Sequence, residues 1–120
     1  MQALFDTNIL IDYLIGYEQA KQEIEQYETP QISIITKMEI LVGVTEENEE
    51  IVRKFINNFS IISLNEEISE IAIELRRQNK IKLPDAIIWA SAKFNNSLLI
   101  TRNTKDFSIH SPDIKVPYNI

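Results

Sequence analysis

The sequence predicts a single α/β domain, residues 1–120, in which a parallel β-sheet is flanked by helices on both faces. Three observations predict it. The 120 residues are about the length of one ordinary domain. The chain has only two glycines and no serine- or glycine-rich stretch, so it offers no candidate linker. Short apolar segments alternate with segments of helical periodicity, which is typical of parallel sheets buried between helices.

Five elements are predicted in the first part of the chain. They are, in order, a strand at 3–5, helices at 8–14 and 18–27, a strand at 31–34 and a helix at 36–44. The second helix is amphipathic, because Ala20, Ile24 and Tyr27 recur at the spacing of one helical face. Pro30 separates it from the following strand, since the proline ring removes a hydrogen-bond donor and restricts the residue before it.

The rest of the chain continues the alternation. The predicted elements are a helix capped by Thr45 with Ile51, Phe55 and Phe59 as its core face, a strand at 60–64, a helix from its N-cap Asn65 to about Asn79, a helix from Pro84 to about Phe94, a strand at 98–100 and a last strand at 116–118. Glu46 and Glu47 follow Thr45 and suit the positive end of a helix dipole. Pro84 suits the first position of a helix.

The composition excludes several kinds of site. Without cysteine, the chain can form no disulfide, thiolate zinc site or cysteine nucleophile. The single histidine, His110, argues against a histidine-based metal site or a Ser-His-Asp triad. The net charge of −6 does not attract nucleic acid, so any such binding needs local basic residues or bridging cations. The chemistry must therefore come from carboxylates, amides, hydroxyls and bound metal.

Nothing in the sequence predicts a membrane segment or a secretory signal. No apolar run reaches the ~18 residues that a membrane span requires. The first six residues lack a basic region followed by a long apolar stretch. We therefore expect a cytoplasmic protein without membrane contact.

Four acidic residues are candidates for a site. Asp6 directly follows the first predicted strand, Asp106 lies downstream of the strand at 98–100, and Asp85 begins a helix. Active crevices of parallel sheets lie beyond the carboxyl ends of the strands. Glu39 stands among apolar neighbours, where a buried carboxylate is costly unless it is paired, hydrogen-bonded or on a metal. Each acid also has a structural interpretation: an N-cap for Asp6, a helix first turn for Asp85, an ion pair with Lys37 or Arg102 for Glu39, and an ordinary turn for Asp106.

These acids lie in four segments that together resemble one family. The segments are Phe5-Asp6-Thr7-Asn8-Ile9-Leu10, Met38-Glu39-Ile40-Leu41-Val42-Gly43, Leu83-Pro84-Asp85-Ala86-Ile87-Ile88-Trp89-Ala90 and Leu99-Ile100-Thr101-Arg102-Asn103-Thr104-Lys105-Asp106-Phe107. In this order they resemble the PIN domain and, within that superfamily, the VapC-type toxins of bacterial toxin–antitoxin pairs. The resemblance covers essentially the whole chain and implies a PIN-like fold with metal-dependent endoribonuclease activity.

The resemblance also implies roles for particular residues. Asp6, Glu39 and Asp85 match the three principal metal-binding acids of the family, and Thr7, Asn8 and Thr101 match residues that support the site. Many relatives have an acid where this chain has Asn103, so either Asn103 or Asp106 fills the fourth position. The implied cofactor is Mg²⁺ or Mn²⁺. The implied partners are RNA, a cognate antitoxin protein and a second copy of the chain.

The chemistry of these residues agrees with that interpretation. A divalent metal acidifies a bound water and acts as a Lewis acid, and Mg²⁺ prefers oxygen ligands. Four basic residues flank the acidic segments and are candidates for holding phosphates, although ordinary surface solvation also explains them: Lys80, Lys82, Arg102 and Lys105. We further expect the antitoxin to place an arginine against the site acids and apolar anchors in a groove between the helices at 8–14 and 18–27.

Two alternatives remain open from the sequence. A phosphorelay receiver module has the same length, acidity and alternation, but it carries paired acids after its first strand and a Lys-Pro dipeptide, which this chain lacks. A catalytically inactive PIN-like binding domain is the other alternative, and the intact Asp6, Glu39 and Asp85 argue against it.

Overall fold

A computed structural model describes residues 2–108 and 110–120 and contains one five-stranded sheet. The strands are β1 (Ala3–Phe5), β2 (Gln31–Ser33), β3 (Ser60–Ile62), β4 (Leu98–Ile100) and β5 (Ile114–Lys115). Their order across the sheet is β3-β2-β1-β4-β5, and every neighbouring pair is parallel. The predicted α/β class with a parallel sheet is therefore confirmed.

Six helices connect and cover the strands. They are α1 (Thr7–Leu14), α2 (Glu18–Glu25), α3 (Ile34–Val42), α4 (Glu49–Ile56), α5 (Glu66–Gln78) and α6 (Leu83–Phe94). Among the described parts of the chain, no helix combines the length and apolar character needed to cross a membrane.

The sheet is buried on both faces because its side chains alternate between two apolar clusters. Phe5 and Ile100 belong to a cluster that includes residues of α1, α2 and α4. Leu4 and Leu99 point the other way, into a cluster that includes residues of α5 and α6. The prediction of helices on both faces is thus confirmed.

One predicted helix begins later in the structure than expected. The helix expected from Thr45 begins at Glu49, because Thr45 and Asn48 instead bond to each other in a turn: the Thr45 N–H donates to Asn48 Oδ1 at 2.8 Å and the Asn48 N–H to Thr45 Oγ1 at 3.3 Å. The face of α4 turned to the core therefore carries Val52 and Ile56, and Ile51, predicted to be in the core, is 69% exposed.

Smaller differences concern helix and strand ends. The second helix ends at Glu25, two residues earlier than predicted, and α3 begins at Ile34 directly after β2, with Ser33 as its N-cap. The last strand is Ile114–Lys115 and not 116–118, because the edge of β4 pairs with that earlier segment. Tyr118, predicted to be in the strand, is instead a buried side chain beyond it.

Candidate active site

The predicted site residues meet at the topological switch point of the sheet. From β1 the chain moves outward to β2 and β3, and it then returns to the other side of β1 for β4 and β5. A crevice opens beyond the carboxyl ends of strands where the winding direction reverses. Asp6 directly follows β1, Thr101 directly follows the adjacent β4, and Glu39 and Asp85 come from α3 and α6.

Asp6 is the most buried of the predicted site acids, at 4% exposure. It is the N-cap of α1, and its Oδ1 accepts from the Thr7 N–H at 2.7 Å. Its Oδ2 accepts from the Thr101 hydroxyl at 2.8 Å and from Asn8 Nδ2 at 3.3 Å. Burial, together with the charges of Asp85 and Glu39, raises the pKa of Asp6 to about 6 although these hydrogen bonds oppose the change. The capping interpretation of Asp6 is therefore confirmed, and its role in the site stays a prediction.

Glu39 is held by a chain of hydroxyl groups. The Thr7 hydroxyl donates its single proton to Glu39 Oε1 at 2.7 Å, so the buried Thr36 hydroxyl, 2.9 Å from that of Thr7, must be the donor to Thr7. Thr36 was not anticipated from the sequence. Its only sequence signal is its position one helical turn before Glu39.

The expectation that Glu39 is buried among apolar neighbours is wrong. Glu39 is exposed, and its neighbours Met38 and Val42 are 56% and 87% exposed, because α3 turns Thr36 and Ile40 to the core instead. Within the described residues neither Lys37 nor Arg102 forms an ion pair with Glu39. The carboxylate thus stands in solvent at the edge of the crevice, oriented by Thr7.

Asp85 lies in the first turn of α6 and is half-buried. Burial raises its pKa, and the charges of Asp106 and Glu39 act in the same direction, while Lys82 opposes them. The charges of these acids therefore repel one another. The charges of Asp85 and Glu39 raise the pKa of Asp6, and the charges of Asp106 and Glu39 raise the pKa of Asp85.

Asn103 and Asp106 are bonded to each other. Asn103 Nδ2 donates to Asp106 Oδ2 at 2.9 Å, and the Asp106 N–H donates to Asn103 Oδ1 at 3.2 Å. The Asn103 N–H in turn donates to Thr101 Oγ1 at 3.0 Å. Both polar ends of the Asn103 amide are therefore used to shape the loop after β4, and the carboxylate in this turn belongs to Asp106.

A partly buried ion pair that was not anticipated supports the same loop. Arg102 Nε and Nη2 donate to the two carboxylate oxygens of Asp12 at 2.6 and 2.9 Å, and the Tyr118 hydroxyl donates to Asp12 at 2.9 Å. These contacts hold the pKa of Asp12 below its usual range. The Arg102 N–H also donates to Asn8 Oδ1 at 3.4 Å. The Arg102 guanidinium thus uses Nε and Nη2 to bind Asp12, and its role in holding phosphates stays a prediction.

The donor set fits a hard divalent cation. Asp6, Glu39, Asp85 and Asp106 offer only oxygen ligands and carry mutually repelling charges. In the described part of the chain, no three histidine or acidic side chains are close enough to form a ready-made ligand cage. A hard divalent cation that keeps several waters needs only one or two protein carboxylates and no closed cage.

Comparison with known proteins gives one consistent result. A family model described as PIN domain matches residues 3–110. The chain is 34% identical over 110 residues to Ribonuclease VapC1 of Methanocaldococcus jannaschii. The matched region covers 87% of this chain and 77% of that protein.

Solved structures agree with this match. A toxin-antitoxin complex from Klebsiella pneumoniae contains a chain that superposes with a TM-score of 0.94 at 45% identity, covering 99% of this chain and 100% of that one. VapBC2 from Rickettsia felis, bound to a DNA fragment from its promoter, superposes with a TM-score of 0.81 at 21% identity, covering 96% and 98%. At that identity the second likeness bears on the fold alone.

Proposed function

This chain belongs to the PIN domain family and is a ribonuclease toxin of the VapC type, and we propose that it cuts RNA at the crevice of Asp6, Glu39 and Asp85. One observation carries the proposed site. These acids arrive from separate elements at the switch point of the sheet, and none of them has an ion pair within the described residues. The family membership excludes the phosphorelay receiver as an alternative.

Asp6, Glu39 and Asp85 would hold a divalent metal, Mg²⁺ or Mn²⁺, and Asp106 is the fourth acid of the set. A metal bound there would lower the pKa of a water and withdraw charge from a phosphate oxygen, as hydrolysis of a phosphodiester requires. The chain's own residues fix the carboxylates. Thr101 and the Thr7 N–H hold the two oxygens of Asp6, and Asn103 holds Asp106.

Cleavage of RNA by purified protein tests this site. Asp6→Asn, Glu39→Gln and Asp85→Asn should each slow cleavage with Mg²⁺ or Mn²⁺ more than tenfold, which corresponds to losing about 1.4 kcal/mol of transition-state stabilisation. A chelator should stop the wild type. Asp113→Asn is the matched control, because Asp113 is an acid paired with Lys93 and Trp89 away from the crevice.

Two results would contradict the proposal in different ways. Unchanged cleavage by Asp6→Asn would show that the acids are not the site. A wild-type protein that binds its antitoxin but cuts no RNA with either metal would support the inactive binding domain instead. If the substrate is cellular RNA, as we propose, the protein acts in the cytoplasm.

The partner antitoxin has a candidate docking surface in an apolar groove of about 450 Å³ between α1, α3 and α4. Ile11, Leu14, Ile15 and Ile51 line it, and Glu39 stands at one side. Ile15 and Ile51 are 75% and 69% exposed. A groove that joins apolar surface to a site carboxylate suits an amphipathic segment that carries an arginine.

The groove is not where the sequence led us to expect it. The helices at 8–14 and 18–27 were expected to form it, but the apolar residues of α2, Ala20 and Ile24, are buried in the core. Little apolar surface therefore remains exposed between α1 and α2. The exposed residues lie on the other side of α1, facing α3 and α4.

Antitoxin binding tests the groove and the arginine separately. Ile51→Glu should weaken binding more than tenfold and leave RNA cleavage unchanged, whereas Ile73→Glu, at an exposed position on α5, should leave both unchanged. If an arginine enters the crevice, Asp6→Asn and Asp85→Asn should also weaken binding. Binding as tight as wild type in both would mean that the antitoxin only blocks access of RNA.

The homodimer implied by the family resemblance is also a proposal. Light scattering on the purified toxin, with and without antitoxin, measures the mass in solution. A mass of one chain at micromolar concentration would contradict the dimer.

A further inference from the structure

A second cleft adjoins the crevice on the side of α5. It has a volume of about 370 Å³ and is lined by Arg76, Lys80, Ile81, Lys82 and Asp106. Arg76 lies in the last turns of α5, Lys80 lies in the connection to α6, and Lys82 is the N-cap of α6. Asp106, the fourth acid of the proposed site, lines this cleft, so the cleft borders that site.

The three cations of this cleft differ from most other basic residues of the chain. Six lysines and arginines form ion pairs: Arg53, Lys54, Arg77, Lys93, Arg102 and Lys115. Arg76, Lys80 and Lys82 are exposed, and none of them is within ion-pair distance of an acid in the described residues. With Asp106 the lining carries a net charge of +2 in a protein of net charge −6.

Helix stability explains only part of this cluster. Arg76 in the last turns of α5 is favoured by the helix dipole. The helix dipole disfavours Lys82, because this residue lies at the positive end of α6, where it is the N-cap and forms no side-chain capping hydrogen bond. The charge of Lys82 is partly offset by Asp85, whose pKa it lowers, but the helix dipole and the two other cations of the cleft oppose it. An anionic ligand would compensate the three charges together.

We propose that Arg76, Lys80 and Lys82 bind backbone phosphates of the RNA strand next to the bond that is cut. The inference rests on the proposed function, because it assumes that the strand passes Asp106. Arg76 can grip phosphate oxygens through two parallel N–H donors, and the lysines act as point charges. Arg102 differs from these three cations, since Asp12 already binds its guanidinium at 2.6 and 2.9 Å.

The test measures binding of a single-stranded RNA oligonucleotide in chelator, where no cleavage occurs, over a range of salt concentrations. The triple variant R76Q/K80Q/K82Q should bind more than tenfold weaker than wild type at ~0.1 M salt. Its slope of log K against log salt should fall by about 2, because each phosphate neutralised on a single strand contributes roughly 0.7 to that slope. R53Q/K54Q/R77Q is the matched control, because it also removes three positive charges, from residues that are paired with Glu49, Glu50 and Glu74.

Cleavage provides a second readout. The triple variant should raise KM for a long RNA and leave kcat nearly unchanged. It should cut a dinucleotide, whose single phosphate occupies the crevice, at the wild-type rate. If R76Q/K80Q/K82Q matches R53Q/K54Q/R77Q in affinity and salt slope, the inference is overturned while wild-type cleavage stands. Failure of the wild type to cut any RNA would instead overturn the proposed function.

Discussion

Asp6→Asn should make the metal-free protein more stable at pH 8 and leave its stability nearly unchanged at pH 4.5. Burial raises the pKa of Asp6 from the ordinary 3.8 to about 6. A carboxyl whose pKa is raised by folding stabilises the fold while it is protonated, and this contribution is lost as the pH rises through about 6. From the two pKa values, the ionised form costs about 3 kcal/mol of unfolding free energy at pH 8.

Asparagine removes this cost and keeps most of the local structure, because it is as good an N-cap as aspartate. In the wild type the two carboxylate oxygens accept from the Thr7 N–H and the Thr101 hydroxyl. Asparagine keeps only one acceptor oxygen, and the lost hydrogen bond costs about 1 kcal/mol. The net gain at pH 8 is about 2 kcal/mol, or about 8 °C in melting temperature for a domain of this size. At pH 4.5 the gain falls to about 1 kcal/mol, because the unfolded carboxyl is still mostly ionised there, and the cost of the lost hydrogen bond cancels it.

Thermal unfolding in chelator at pH 4.5, 6 and 8 measures how the stability difference between the variant and the wild type changes with pH. Asp12 and Asp113 do not obscure it, because their lowered pKa values give stability that is lost only as the pH falls through the acidic range. Added Mg²⁺ should stabilise the wild type and not the variant. If Asp6→Asn is destabilised equally at all three pH values, Asp6 is only a helix cap and the cost of burying its charge has been misjudged.

Two further predictions concern the loop after β4. Asp12→Asn should cost about 2 kcal/mol of unfolding free energy, since it leaves Arg102 without its charged partner. It should also slow RNA cleavage. Asp113→Asn, which removes the ion pair with Lys93, should leave the cleavage rate unchanged. Asn103→Ala should slow cleavage less than Asp106→Ala, because Asn103 only holds the carboxylate; equal losses, or a larger loss in Asn103→Ala, would mean that the amide itself contacts metal or substrate.

The sequence predicted the parts of the fold that depend on local pattern. Short apolar strands and helical periodicity predicted every strand of the sheet except the position of the last one. Asp6 was predicted from its position at the end of a strand, and parallel pairing of β1 with β4 brings Thr101 to it. Positions at strand ends are informative because parallel strands share one carboxyl edge.

Burial of single acids could not be predicted in the same way. Glu39 was expected to be buried because its sequence neighbours are apolar, yet Asp12, which also has apolar neighbours, is the buried one. Sequence neighbours of a helical residue point in different directions, so they do not show which face meets the core. The partner of Asp12, Arg102, lies 90 residues away and becomes recognisable only when β4 is placed beside β1.

The acids of the fold fall into two groups that differ in how their charge is compensated. Asp12, Glu23 and Asp113 each have a cation, namely Arg102, Lys115 and Lys93. Asp6 and Glu39 receive only neutral donors, from the Thr101 and Thr7 hydroxyls and from backbone and amide N–H groups. Neutral donors orient a carboxylate and leave most of its charge for a further ligand.

The uncompensated charge of the crevice therefore favours any cation that can reach it. A hydrated divalent metal is one such cation, and a guanidinium carried by a partner is another. Both would relieve the same repulsion among Asp6, Glu39 and Asp85, so binding of either cation would lower the affinity for the other. It follows that stabilisation of the toxin by Mg²⁺ should shrink once an arginine-bearing antitoxin is bound, although an antitoxin confined to the apolar groove would leave it unchanged.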